Sequence, residues 1–202
     1  LPMLALMLCA TGHATQFNGT TYWLDEGTAT VHLPVNASSL NLTLSWRAED
    51  IVLTDAAGGN VSFNSTYSFW RGSHIYSLSF DRHVSGELVY KIPLQGQQFI
   101  LPTRDGGPVR IVLPEGYTTG NRILGIPRPS PDEFRAGEAG DVLTWYNTSQ
   151  VPYIEVGYYL KSAPDVMGKI FALLALCAAA VLAEYYISIR RLRSLRREEG
   201  RP

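Results

Sequence analysis

Leu40-Asn-Leu-Thr-Leu-Ser-Trp-Arg47 alternates apolar and polar side chains without a break. As an extended chain it puts Leu40, Leu42, Leu44 and Trp46 on one face and Asn41, Thr43, Ser45 and Arg47 on the other. A period of two residues marks a strand with one buried and one wet face. Working outward, similar short runs recur at 28–35, 51–54, 67–70, 75–80, 87–92, 98–101, 109–113, 142–146 and 153–160, separated by Gly, Pro, Asn and Asp. Many short strands at this spacing predict a mainly β chain, an antiparallel β-sandwich of Ig-like type over residues 15–163.

The wet face of the opening strand carries Asn41 two residues before Thr43, and that pairing is repeated along the chain. Of seven Asn, those at Asn18, Asn36, Asn41, Asn60, Asn64 and Asn147 precede Ser or Thr at the second position, and Asn121 alone does not. Such triplets are acceptors for N-linked sugar on an exported surface. Strand parity agrees, because Asn60, Ser62 and Asn64 alternate with Val61 and Phe63 as Asn41 alternates with its leucines.

The 202 residues carry a formal net charge of -1, which fits one domain with accessory segments. The balance hides an asymmetry. Arg190, Arg191, Arg193, Arg196, Arg197 and Arg201 crowd the carboxyl end, whereas the body lacks a basic, aromatic-interleaved face, so no nucleic-acid partner is expected. Only Cys9 and Cys177 occur, both in apolar terminal runs. The body therefore has no disulfide staple, Cys nucleophile or Cys-bound zinc and depends on an apolar core.

Residues 1–14 read as a signal-peptide-like leader, with a short apolar run before Thr11-Gly-His-Ala14. Leu8 stands before Cys9, where a lipid-accepting cysteine follows Gly or Ala. At the other end, residues 170–189 are apolar over a length that rises roughly 30 Å as a helix, enough for one hydrocarbon core. A linker at 164–169, with Pro164, Gly168 and Lys169, precedes this expected transmembrane helix. Tyr185 and Tyr186 suit the opposite interface, and the basic tail at 190–202 fixes the carboxyl end in the cytoplasm, with the amino end outside. Glu184 is the exception inside the span. With Ala175, Ala179 and Ala183 it forms a small-residue ridge and a carboxylate suited to a partner helix, or it reaches the inner interface by itself. The arginines also fit anionic headgroups.

No paired metal spacing joins His32, His74 and His83, and there is no nucleophile elbow, phosphate loop or His-Glu-x-x-His. No cofactor is expected. The Gly- and Pro-rich segment 117–141 is long for a structureless loop, so it is either a binding loop or a crossover between sheets. Its carboxylates Asp132 and Glu133 are the first candidates for hydrolytic chemistry.

The second half contains, in order, Val109-Arg-Ile-Val-Leu-Pro-Glu-Gly116, Gly120-Asn-Arg-Ile-Leu-Gly125, Val142-Leu-Thr-Trp145 and Ile154-Glu-Val-Gly-Tyr-Tyr-Leu160, then the apolar span and the arginine tail. This order resembles an uncharacterised archaeal family of membrane-anchored domains of unknown function. The resemblance implies an exported β domain and an archaeal host, and it supplies no activity. The expectation is a single-pass surface glycoprotein of the cell membrane with a noncatalytic binding or envelope module. Its partners are the bilayer and, as an accessory subunit of a membrane complex, a protein met through the ectodomain or the span. The competing expectation is a cell-surface hydrolase using carboxylates of 117–141.

Overall fold

The computed structural model describes residues 17–103, 106–137 and 139–199, with side chains to residue 191. The leader at 1–14 and Cys9 lie outside the described residues. So do the side chains of Arg193, Arg196 and Arg197, although the backbone there is helical.

Among the described residues, thirteen strands and one helix follow the alternation in the sequence. The largest sheet contains β1 (Thr20–Leu24), β2 (Thr28–Leu44), β3 (Glu49–Asp55), β4 (Phe63–Trp70), β5 (Ser73–Pro93), β7 (Val109–Val112), β10 (Glu133–Arg135) and β11 (Val142–Trp145). Its order is β10-β11-β7-β1-β2-β5-β3, with β4 beside the other half of β5. All pairs are antiparallel except β1 with β7, which run parallel. β6 (Gln98–Pro102), β12 (Tyr153–Gly157) and β9 (Pro127–Arg128) form a second sheet, and β8 (Tyr117–Thr118) pairs with β13 (Tyr159–Leu160).

The strands at 28–35 and 40–47 are one continuous strand, β2, which ends at Leu44 and leaves Trp46 beyond it. The runs at 75–80 and 87–92 likewise fuse into β5, whereas 153–160 divides into β12 and β13. Between β2 and β5 the register jumps from Ala37↔Val84 to Ser39↔Ser79, so two steps on one strand span five on the other. A bulge of that size bends a sheet. The bend returns the far half of β5 over its near half: the Tyr76 hydroxyl meets the Ala48 amide at 3.0 Å and the Ala48 carbonyl at 3.3 Å, and neighbouring Glu49 pairs with Lys91.

Inside the bend lies one apolar core. Val31, Leu53, Leu78, Leu88, Ile111 and Leu143 from the large sheet meet Phe99, Ile154 and Val156 from the second, all essentially removed from water. Tyr22 and Phe99 join the sheets with ring centroids 5.4 Å apart. Each fully buried aliphatic contributes about 1.5–3 kcal/mol. A thiol-free body can be held together in this way.

Segment 117–141 is no structureless loop. It supplies β8, β9 and β10, one to each sheet, and so runs as a crossover along their edges. The helix α1 (Ala163–Glu199) begins directly after β13 and absorbs the expected linker. Pro164 is tolerated in a first turn, where its missing N–H costs nothing, and Asp165 complements the dipole there.

Candidate functional site: a polar outer face, an apolar helix and an aromatic end

The bent sheet turns one face to its core and one to water. Direct cross-strand partners share a face, which allows the six triplet asparagines to be placed. Asn36 lies opposite Ser85, Asn41 opposite Ser77 and Asn64 opposite Ser79, while Asn60 bridges to Thr54, whose partner is Glu87. All four belong to the water face, and all six asparagines are exposed. Asn18 and Asn36 line one shallow cleft on that face.

Asn121 contrasts with them. It is half-buried, and its side-chain Oδ1 accepts the amides of Ile123 at 2.9 Å and Leu124 at 3.3 Å to close a turn. In Asn147-Thr-Ser149 the amide and hydroxyl of Ser149 donate to Asn147 Oδ1 at 3.0 and 2.7 Å. At the bend His83 contacts both ends of another triplet, Asn36 Oδ1 at 2.8 Å and Ser38 Oγ at 3.4 Å.

The candidate carboxylates of 117–141 are already engaged. Asp132 Oδ2 accepts the Tyr146 amide at 2.8 Å. Glu133 takes the Tyr146 hydroxyl on Oε2 at 2.7 Å and Arg135 Nε on Oε1 at 2.6 Å. The Tyr146 hydrogen bond, then that of Arg135, holds the Glu133 carboxyl below its ordinary range, and the same bond raises the Tyr146 phenol. Among the described residues no group of three His, Cys, Asp or Glu is placed to hold a metal.

The helix is the other unusual surface. Every residue from 168 to 188 is exposed, including Ala175, Ala179, Ala183 and Glu184. Phe171, Leu176 and Leu182 turn 58 to 69% of their surface outward. An ordinary surface helix has an apolar stripe on one side and a polar stripe on the other. This helix is apolar all round, and it is long and apolar enough to cross a membrane. Arg190 caps its apolar part by lying over Tyr186, 4.8 Å from the ring centroid.

Two anchors fix where the helix leaves the body. Tyr158 hydrogen-bonds Gln97 through its amide at 3.1 Å and Gly96 through its hydroxyl at 3.2 Å. Lys161 gives its amide to Gly116 at 2.9 Å and its ammonium to the buried Asp141 at 3.1 Å. Gly96 and Gly116 follow the ends of β5 and β7, so the helix starts at the end of the body opposite the bend. Asn18, Asn36, Asn60 and Asn147 belong to the bend end by register, and Asn41 and Asn64 to the returning half.

Sequence reasoning missed one cluster. The β4–β5 hairpin turns through Arg71 and Gly72, at φ 49° and 80°, as a two-residue turn with both centres left-handed. Around it Tyr67, Phe69, Trp70 and Trp46 are 47, 59, 64 and 40% exposed. Arg71 stands 5.5 Å from the Trp70 ring centroid and Arg47 6.0 Å from that of Tyr67, while Tyr67 bonds His74 Nδ1 at 2.9 Å. The available signal was aromatic alternation on a run with no acidic residue from 61 to 80.

A family profile described as a family of unknown function, DUF5803, matches residues 7–201. The chain belongs to DUF5803. The match takes in body, helix and most of the tail, so the DUF5803 pattern treats β domain and apolar helix as one unit. No curated protein matches this DUF5803 chain.

Proposed function

We propose that this DUF5803 protein is a single-pass surface glycoprotein of the cell membrane, its amino end outside and its arginine tail in the cytoplasm. The carrying observation is the helix. From 168 to 188 it stands clear of its own domain with apolar side chains on every side, a surface that water opposes and hydrocarbon accepts. Arg190, Arg191, Arg193, Arg196 and Arg197 follow it, as a cytoplasmic flank does. The six triplet asparagines all lie upstream, exposed, as acceptors on the exported side.

The body is read as a noncatalytic binding or envelope module, a two-layer sandwich closed by the bend in β2 and β5. The Ig-like form of that sandwich stays part of the proposal, since the large bent sheet contains one parallel pair. Asp132 and Glu133 support this reading because each is already bound to Tyr146. A general acid needs a raised carboxyl pKa, whereas that of Glu133 is lowered. In the accessory-subunit version, Ala175, Ala179, Ala183 and Glu184 meet a partner helix across a small-residue ridge.

Alkaline carbonate washing of membranes from the native host tests the anchor, and mass spectrometry of the retained chain tests the sugars. The expected result is a protein released only by detergent and carrying hexose on peptides containing the triplets. Recovery in the wash, unmodified, sinks the proposal.

A further inference from the structure

The aromatic cluster and the helix start lie at the same end of the molecule. Ala48, which holds Tyr76, precedes Glu49, and Glu49 pairs with Lys91 close to the end of β5. From Tyr76 the hairpin runs about four more residues to Gly72, roughly 13 Å at strand rise, in the direction of that end. Trp46 lines a cleft with Pro93, Leu94 and Gln98, and Gln97 carries the bond to Tyr158, five residues before the helix. The hairpin tip is apolar and cationic, with Phe69 and Trp70 exposed and Arg47 and Arg71 beside the rings. The nearest acidic residues beyond the strand are Glu49, which pairs with Lys91 across β5, and Asp50, whose carboxylate meets Lys91 Nζ at 2.9 Å.

We propose that the β4–β5 hairpin tip, through Phe69, Trp70 and Arg71 with Trp46 and Arg47 behind it, docks on the outer headgroups of the bilayer that the helix crosses. Amphipathic rings sit at headgroup depth, and guanidinium groups attract anionic lipid. A sugar-binding platform would place carboxylate or amide groups among its rings to meet hydroxyls, and here the charges beside the rings are the guanidinium groups of Arg47 and Arg71. The anchor holds the tip beside the lipid, so weak contacts suffice, as in any tethered second site. The contact makes the domain lean on the membrane and points the bend end, with four of the triplet asparagines, outward.

This inference rests on the membrane-anchored reading, and its test separates the two. The full chain is reconstituted in nanodiscs of phosphatidylcholine with or without phosphatidylglycerol, using lipids brominated near the headgroup to quench tryptophan. α1 contains no Trp, so helix insertion contributes nothing to the signal. Trp145 is buried, and Trp23, exposed at the helix end of β1, is replaced by Phe in every chain compared so that it adds no signal. The expected result is quenching that grows with phosphatidylglycerol, falls roughly twofold in Trp70→Ser, and loses its lipid-charge dependence in Arg71→Glu. Quenching equal in wild type and both variants, quenching that ignores phosphatidylglycerol, or none while the chain stays in the nanodisc overturns the docking and leaves the anchor standing. Failure of the chain to enter the nanodisc overturns the anchor itself.

Discussion

Asp141 is the charged side chain most fully removed from water among the described residues, and its ion partner Lys161 stands two positions before the helix. Lys161 is itself 46% exposed, so solvent weakens the pair, but a Lys161→Met change leaves the carboxylate buried without its cation. The expected cost is about 2–3 kcal/mol, less than for a wholly buried pair, seen as a lower urea midpoint at unchanged slope. At Glu133 and Tyr146 the expectation concerns pH. A lowered carboxyl stabilises the fold above its unfolded range and loses that effect as pH falls through the folded pKa. A raised phenol stabilises below its unfolded value and loses it as pH rises through the folded one. The melting difference between wild type and Glu133→Gln is therefore expected to be flat near neutrality and to shrink in both acid and alkali. At this scale the sequence was legible for which asparagines stand in water, since all six triplet asparagines are exposed and Asn121 closes a turn. It was not legible for Asp132 and Glu133, because their hydrogen bonds come from Tyr146, on a different element more than a dozen residues away.

At the element scale, the alternation that located the strands could not say where they bend. Phe80-Asp81-Arg82-His83-Val84 contains neither Gly nor Pro, so nothing local marks the place where β5 turns over. The bend is imposed by the core, which gathers Tyr76 and Leu78 from one half of β5 and Leu88 and Tyr90 from the other into one cluster. Nor does Val109-Arg-Ile-Val112 reveal that it runs parallel to β1, because its pairing is set by sheet neighbours far away in sequence. Gly86 does carry a local consequence. A Cβ built there would collide with the Thr54 carbonyl and come within 2.9 Å of the Asp55 Cα, so only glycine lets β3 lie against β5. Gly86→Ala is expected to cost about 1–3 kcal/mol and to loosen β3 first. Amide exchange that speeds up at Val52 and Leu53 but not at Val31 checks this, and equal exchange at both sites contradicts it. Leu88→Ala, at 0% exposure, is instead expected to cost about 2–5 kcal/mol through a cavity felt by both sheets.

For the whole molecule, the two ends differ in chemistry, and that polarity follows from topology. β2 and β5 carry the chain to the bend and back, so residues distant in sequence share an end: Asn18, Asn36, Asn60 and Asn147 at one, and Trp46, Trp70, Tyr158 and Lys161 at the other. The nearly thiol-free chain offers a direct test of how these ends are disposed. In a Cys9→Ser background, Cys177 is the single remaining thiol and lies fourteen residues into α1, in mid-span under the proposed topology. A membrane-impermeant maleimide applied to intact cells is then expected to leave Cys177 unlabelled. Added cysteines at exposed Ser85 and Ser149 are expected to label fully, because both face water at the outward end. One at Ser194, in the arginine tail, is expected to label only after the membrane is opened. Detergent alone should expose Cys177, which separates protection by lipid from protection by folding. Labelling of Ser194 on intact cells, with Ser85 and Ser149 protected, would invert the chain, and the triplet asparagines would then stand in a compartment where sugar has no route to them.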